Sequence, residues 1–205
     1  MGRIGLFGGT FDPVHSGHIA LAKRVTEDFS LDRLIFIPAG NPPHKQKNEI
    51  TSAAHRIKMV RLVAENEPKF AVSDYEEKSE TPNYSYLTIS HFKKVFPDDE
   101  IFFLIGGDSF RNLPEWKNYR TLLALCTFIV VPRPGVEKCD YLEKFHGDEV
   151  PPRVFFLKDF SYDLSSTEVR KCFAQGENAE GKVPKAVHTY ILKNQLYQTG
   201  AGHDD

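Results

Sequence analysis

A series of short, almost uninterrupted apolar runs constrains the fold of this chain more than any other feature. Segments with the apolar spacing of amphipathic helices lie between the runs. Buried strands that alternate with helices in this way are typical of an α/β fold with a doubly wound parallel sheet. The predicted strands are residues 3–7, 33–37, 70–73, 101–105, 127–131 and 154–157.

Helices are predicted between the strands and after the last one. We expect the first to follow Ser16, the second to begin at a Thr51 or Ser52 cap and the third to end before Pro97. Later helices are expected over residues 113–125, 166–174 and 184–195, and a polar connection over 132–152. No repeat or linker interrupts this pattern. Residues 1–198 are therefore predicted to form a single domain, and residues 199–205 a frayed tail.

Composition argues against several classes of function. The chain has 205 residues and a formal net charge of −2, which argues against broad binding to nucleic acid or to an anionic membrane. No apolar run approaches the roughly 20 residues of a membrane span, and the first residues lack the layout of a signal peptide. Cys126, Cys139 and Cys172 fit no zinc or redox spacing, so we expect free thiols in a cytoplasmic protein. The sequence leaves a homo-oligomer open.

The first predicted strand leads into an anion-binding turn. Glycine at Gly8 and Gly9, before Thr10, allows a sharp turn and leaves no Cβ between the backbone and a ligand. The helix that follows directs free amide groups and the positive end of its dipole at the same loop. Doubly wound sheets bind ligands at the carboxyl ends of their strands. That rule gathers further segments at the same edge: residues 39–45, Gly107, Asp108 and Arg133.

His15 and His18 are three residues apart at the start of the first helix, so both imidazoles project over this loop. Spacing alone leaves three interpretations. The pair could bind zinc, although a zinc site would need a third ligand nearby and the glutamate of a zincin helix is missing. It could simply cap the helix. We favour a third role, in which the imidazoles donate to a phosphate and gain charge as negative charge develops.

The run GGTFDPVHSGH, residues 8–18, resembles the signature of the HxGH nucleotidyltransferases, and closely that of the bacterial nicotinate-nucleotide adenylyltransferases. The resemblance implies a Rossmann-like nucleotidyltransferase fold. It also implies transfer of AMP from ATP to nicotinate mononucleotide, which gives nicotinate adenine dinucleotide and pyrophosphate in NAD biosynthesis. Mg²⁺ is then expected to accompany ATP, held by phosphates and water, because no carboxylate cluster suggests a protein cage for it.

A second cluster lies late in the chain, between Ser165 and Arg170. Ser165 and Glu168 have the spacing of a capping box, which is sufficient to explain them. The same helix start can hold a phosphate, and the guanidinium group of Arg170 would add several N–H donors. The cluster also resembles the ISSTxxR motif of the superfamily, with Leu164 in place of the isoleucine. We therefore expect both roles.

The resemblance also implies a role for each site residue. The implied catalytic residues are His15, His18, Lys45 and Arg170. Those implied for ATP are Gly8, Gly9, Thr10, Phe11, His18, Gly106, Asp108, Ser165, Ser166, Thr167 and Arg170. Those implied for the mononucleotide are Asn41, His44, Lys45, Tyr84, Ser85, Trp116 and Arg133. No residue is assigned to a metal.

Some of these residues have simpler explanations. Asp108 could be the N-cap of the next helix instead of a ribose ligand, and Trp116 could be a core residue instead of a platform for the pyridine ring. Ser85 stands where the family commonly has threonine. Another acceptor, such as nicotinamide mononucleotide or phosphopantetheine, is the main alternative. An NAD(P)-binding oxidoreductase or sensor is remote, because neither GxGxxG nor an acidic residue after the second strand is present.

Overall fold

The chain folds around one parallel sheet, which confirms the prediction made from its apolar runs. The computed structural model describes residues 1–40, 50–79, 83–132, 138–145 and 151–198. The strands are β1 (Arg3–Gly9), β2 (Arg33–Pro38), β3 (Phe70–Val72), β4 (Glu100–Gly106), β5 (Thr127–Val131) and β6 (Val154–Phe156). They are ordered β3-β2-β1-β4-β5-β6, and each neighbouring pair is parallel. The strand order therefore reverses between β1 and β4.

Helices connect the strands and close the fold. They are α1 (Ser16–Asp28), α2 (Ala53–Ala64), α3 (Ser85–Val95), α4 (Gly107–Arg111), α5 (Tyr119–Leu125), α6 (Lys138–Leu142), α7 (Ser166–Ala174) and α8 (Lys185–Lys193). Short 3₁₀ turns follow α4 at Leu113–Glu115 and α6 at Glu143–Phe145. In the described parts of the chain, no helix has both the length and the apolar character needed to cross a membrane.

The core has two layers, one on each face of the sheet. On β1, Phe7 belongs to one buried cluster and its neighbour Leu6 to the other, because successive side chains of a strand point to opposite faces. Helices α1, α2, α7 and α8 supply residues to the first cluster, whereas α3, α4, α5 and α6 supply the second. Helices on both faces of a parallel sheet give the doubly wound fold that was predicted.

Two segments differ from the prediction. The helix expected over 113–125 is interrupted, because Pro114 sits in a 3₁₀ turn and Asn118 has a left-handed φ of 53°. The polar connection expected over 132–152 contains α6, whose Tyr141 is 2% exposed. The tail expected over 199–205 lies outside the described residues.

Candidate active site

A cavity of about 630 Å³ opens at the carboxyl ends of β1 and β4, where the strand order reverses. This is the position at which doubly wound sheets bind their ligands. The predicted site residues that line the cavity are Gly8, Gly9, Thr10, His18, Ser85, Gly106, Asp108 and Trp116. Segments that are distant in the sequence therefore share one site.

Aromatic packing holds the turn after β1. Phe11 has a left-handed φ of 50°, a conformation that costs a non-glycine residue roughly 1–3 kcal/mol. Its buried ring packs edge-on against Phe7 at 5.2 Å and against His18 at 5.0 Å. A Cβ on Gly9 would lie 2.9 Å from that ring, so glycine is required there. Phe11 itself does not line the cavity, so its buried ring supports the turn from beneath.

Arg56 ties this turn to the end of the neighbouring strand. Its guanidinium group is 1% exposed and donates to the carbonyl oxygens of Thr10 at 2.7 Å, Ala39 at 2.6 Å and Thr51 at 2.8 Å. Desolvation lowers the pKa of Arg56, but an arginine side chain stays charged in proteins. One buried cation therefore fixes three backbone segments around the cavity. Sequence reasoning missed this residue.

The two histidines face each other at the start of α1, with ring centroids 3.7 Å apart. The backbone N–H of His15 donates to Nδ1 of His18 at 3.2 Å. Because Nδ1 accepts, a neutral His18 carries its proton on Nε2, and its ring lines the cavity. Burial lowers the pKa of His18 to about 3 and that of His15 to about 4. Both rings are therefore neutral at pH 7.

His15 is the N-cap residue of α1, as the capping interpretation predicts. Its Nδ1 is buried and has no hydrogen-bond partner in the structure, and His15, unlike His18, does not line the cavity. Among the residues that the structure describes, no group of three or more His, Cys, Asp and Glu side chains is placed to hold a metal ion. In that part of the chain the zinc interpretation has no third ligand.

The start of α7 lies against the loop that follows β1. Ser166 Oγ donates to the carbonyl oxygen of Pro13 at 3.0 Å, and Arg170 Nη1 donates to that of Asp12 at 2.7 Å. The carboxylate of Asp12 is buried and accepts a hydrogen bond from the Tyr197 hydroxyl at 2.6 Å. The imidazole pair and the late cluster therefore meet at one loop.

The predicted capping box forms at the start of α7. It engages Ser165, one of the predicted phosphate ligands, in hydrogen bonds with Glu168. The N–H of Glu168 donates to Ser165 Oγ at 3.2 Å. In return, the Glu168 carboxylate accepts from the Ser165 N–H at 2.7 Å and from its hydroxyl at 2.6 Å. A phosphate must displace this carboxylate to reach Ser165. Ser165, Ser166, Thr167 and Arg170 do not line the cavity, but Ser166 and Arg170 contact the loop at residues 12–13, between the glycine turn and α1.

The opposite wall begins at the end of β4. Gly106 is the N-cap of α4, so the interpretation of Asp108 as the N-cap is wrong; Asp108 lies in the first turn and lines the cavity. A Cβ on Gly107 would lie 2.7 Å from the ring of Tyr141, so α6 packs directly beneath this turn. Trp116 is half-buried, packing on the core with part of its surface and lining the cavity with the rest.

The third wall comes from α3 and the segment before it. Ser85 lines the cavity, whereas the Tyr84 ring stacks on Tyr86 and lies 4.5 Å from Lys117 Nζ. Glu76 also lines the cavity, and sequence reasoning missed it because no motif marks it. Other lining residues that were not predicted are Phe160, Ser161 and Tyr162, which follow β6. Asn41, His44, Lys45 and Arg133 lie outside the described residues.

These features define an α/β nucleotidyltransferase, and comparison with known proteins agrees. The cytidylyltransferase-like family model matches residues 6–172. A Clostridium novyi protein named "Probable nicotinate-nucleotide adenylyltransferase" is 40% identical over 97% of this chain and 100% of its own length. A Clostridium tetani protein of the same name is 38% identical over 97% of this chain and its full length. The chain therefore belongs to the nicotinate-nucleotide adenylyltransferase family.

Solved structures support the same fold at lower identity. The Plasmodium falciparum nicotinic acid mononucleotide adenylyltransferase complexed with NaAD has a TM-score of 0.78 and 21% identity, covering 96% of this chain and 98% of that one. The same Plasmodium enzyme complexed with APC has a TM-score of 0.75 and 20% identity, with the same coverage. The Rossmann-like nucleotidyltransferase fold implied by the sequence is thereby confirmed.

Proposed function

We propose that this chain transfers AMP from ATP to nicotinate mononucleotide, forming nicotinate adenine dinucleotide and pyrophosphate. The observation that carries the proposal is the protonation state of the His18 ring, which is neutral with its proton on Nε2. Its Nδ1 is held by the backbone of His15, which leaves the Nε2–H for a ligand in the cavity beside the glycine turn. A proton donor fixed at the positive end of a helix suits a phosphoryl group that accumulates negative charge.

The reaction needs positioning and charge stabilisation, not a protein nucleophile. A phosphate oxygen of the mononucleotide forms a bond to the α-phosphorus of ATP, and the bond from that phosphorus to the oxygen bridging to the β-phosphate breaks in line. Pyrophosphate leaves with that oxygen. The amides of residues 8–10 and the imidazoles of His15 and His18 are our proposed donors to the α-phosphoryl group. Ser165, Thr167, Arg170 and Lys45 are proposed to contact the remaining phosphates.

Neutral imidazoles at rest suit this chemistry. Burial lowers both pKa values, and the charge of a protonated His15, whose ring centroid lies 3.7 Å away, would lower that of His18 further. A triphosphate brings the opposite charge, which raises the pKa of a nearby imidazole. The pair can therefore gain positive charge when the substrate arrives.

The acceptor is proposed to bind across the cavity from the glycine turn. The ring of Trp116 would stack on the pyridine ring, and Ser85 would contact the pyridine carboxylate. Asp108 would accept hydrogen bonds from a ribose. Asn41, His44, Tyr84 and Arg133 are assigned to the mononucleotide, and Gly106 and Ser166 to ATP, on the family resemblance.

Mg²⁺ is proposed to enter with ATP. The described residues hold no cluster of ligands that would cage it, so phosphate oxygens and water fit as its ligands. When bound, Mg²⁺ neutralises charge on the triphosphate. We also propose a cytoplasmic location, which the free thiols of Cys126 and Cys172 support.

The direct test is pyrophosphate release from ATP with nicotinate mononucleotide, nicotinamide mononucleotide or phosphopantetheine as acceptor. We expect the acid mononucleotide to react fastest, because donors placed for a carboxylate are poorly matched by a carboxamide. The His18→Asn variant is the control for contaminating activity. Equal rates for the two pyridine substrates would contradict the assigned acceptor, and release with phosphopantetheine alone would replace it.

A further inference from the structure

A carboxyl group that the proposed mechanism does not use lines the acceptor side of the cavity. Glu76 follows β3, and its Oε1 accepts a hydrogen bond from Thr88 Oγ1 at 2.8 Å. Thr88 belongs to α3, is only 4% exposed and lines the same cavity. The Glu76 side chain is therefore held in a fixed place at the wall of the site.

Its position relative to α3 puts it near the proposed pyridine ring. Ser85 and Thr88 are three residues apart on α3, so they occupy one face of the helix. Asn83 Nδ2 donates to the backbone carbonyl of Glu76 at 2.9 Å, which ties the segment to the start of α3. Thr88, which holds Glu76, and Ser85, which is assigned to the pyridine carboxylate, therefore lie on the same turn of α3.

Among the residues that the structure describes, few charged groups lie around Glu76. Burial raises the pKa of Glu76 to about 7, while Arg56 of α2 acts in the opposite direction. His18 of α1 and Asp108 of α4 line the same cavity from its other walls. On the segment of Glu76 itself, Asp74 is paired with Arg61 and Lys78; on α3, His91 stacks on the ring of Tyr75.

We propose that Glu76 determines the choice between an acid and an amide on the pyridine ring, a specificity role that rests on the proposed function. As a carboxylic acid, Glu76 donates a hydrogen bond to a substrate carboxylate. As a carboxylate, it repels that group and accepts a hydrogen bond from a carboxamide N–H instead. The preference of the enzyme then depends on the protonation of one side chain.

The experiment measures kcat/KM for nicotinate mononucleotide and for nicotinamide mononucleotide, with saturating ATP, from about pH 6 to about pH 8.5. The ratio of the two values cancels the titration of ATP, of the substrate phosphate and of the imidazoles, because both reactions share them. We expect the wild-type ratio of acid to amide to fall roughly tenfold as pH rises through 7, the scale of one hydrogen bond to a charged group.

Two variants separate this role from a structural one. In Glu76→Gln the side chain stays neutral, so the ratio is expected to be independent of pH and to stay near the wild-type value at low pH. Glu77→Gln removes the neighbouring exposed carboxylate and is expected to keep the wild-type profile. If Glu76 is only a structural support, Glu76→Gln lowers both kcat/KM values equally.

A wild-type ratio that does not change with pH would overturn the inference, whether or not Glu76→Gln folds, and would leave the proposed function intact. A pH-dependent ratio that persists in Glu76→Gln would also overturn it, by assigning the titration to another group. Absence of turnover with both mononucleotides at every pH would overturn the proposed function, and this inference with it.

Discussion

Helices α1 and α7 begin in the same way but differ in charge. In each, the backbone N–H of the N-cap residue donates to the side chain three residues later: His15 to His18 in α1, and Ser165 to Glu168 in α7. In α1, His15 is buried, His18 is half-buried, and both rings are neutral. The α7 pair is exposed, and hydrogen bonds from Ser165 lower the pKa of Glu168 and keep it ionised.

The two helices therefore show two ways of pairing the free N–H groups at a helix N-terminus. Glu168 supplies α7 with its own anion, which stabilises the positive end of the helix dipole without a ligand. His18 accepts the hydrogen bond at the start of α1 without bringing a negative charge of its own. A neutral cap is therefore the arrangement expected where the ligand itself is the anion.

Removing the donor of α1 should have the largest effect. We expect His18→Ala and His18→Asn each to lower turnover on the order of 10²–10³-fold, the scale of losing one transition-state donor. Asn retains a side-chain oxygen that can cap the helix, so it should also retain more stability than Ala. Steady-state rates and thermal unfolding of both variants test this. Wild-type turnover in His18→Asn would show that the imidazole is only a cap.

At α7, Arg170 should matter next most. Its guanidinium group reaches the loop through the carbonyl oxygen of Asp12, so Arg170→Ala is expected to lower kcat/KM for ATP roughly 10–100-fold. Arg170→Lys keeps the charge but loses the two-pronged geometry, and should recover part of the loss. Equal activity in wild type and both variants would remove Arg170 from the phosphate site.

The neutral pair should also make stability depend on pH. Because folding lowers the pKa values of His15 and His18 from 6.5 to about 4 and about 3, the unfolded chain binds more protons below pH 6.5. The free energy of unfolding contributed by His18 should therefore fall as pH decreases from about 6.5 to about 4, by on the order of 2 kcal/mol. Above pH 6.5 this contribution should be fully present.

Denaturant unfolding of wild type and His18→Asn across this range isolates the effect. Glu76 acts in the opposite direction, because its raised pKa makes the folded protein bind the extra proton between about pH 4.5 and 7. Both proteins carry Glu76, so the difference between their curves reports on His18. Parallel curves would contradict the burial of a neutral His18.

Neutralising the carboxylate of α7 should have the smallest effect. Glu168→Gln keeps an oxygen that can cap Ser165 but removes the charge that competes with a phosphate. We expect KM for ATP to fall about 2–5-fold at low salt, the scale of one charge near a helix end, and to approach wild type at high salt. A raised KM would show that Glu168 assists the nucleotide.

Local chemistry made much of this molecule predictable. The strands, the glycine turn and the Ser165 capping box follow from residues adjacent in sequence, as does the proximity of His15 and His18. One alternative failed because it depended on a single turn of backbone: Gly106, not Asp108, caps α4, whereas the assignment of Asp108 to the nucleotide stays a prediction.

Long-range partners were not predictable in the same way. Arg56 looks like any basic residue in a helical pattern, and only the folded chain brings three carbonyl oxygens to it. Glu76 acquires its raised pKa from burial, which neighbouring residues do not encode. The capping box predicted hydrogen bonds between Ser165 and Glu168. How strongly these bonds compete with a phosphate for Ser165 depends on the folded geometry, which the sequence does not give.

The hydrogen bond from Tyr197 to Asp12 joins residues 185 positions apart, so it can form only after Tyr197 has been synthesised. Tyr162 is the last of the described residues that line the cavity. A growing polypeptide that has passed this point carries every described lining residue, but it at first lacks Arg170, and the hydroxyl that holds the Asp12 carboxylate has not been made. Nascent chains halted between these two tyrosines should therefore have a poorly held first loop, and competence should arrive late in translation.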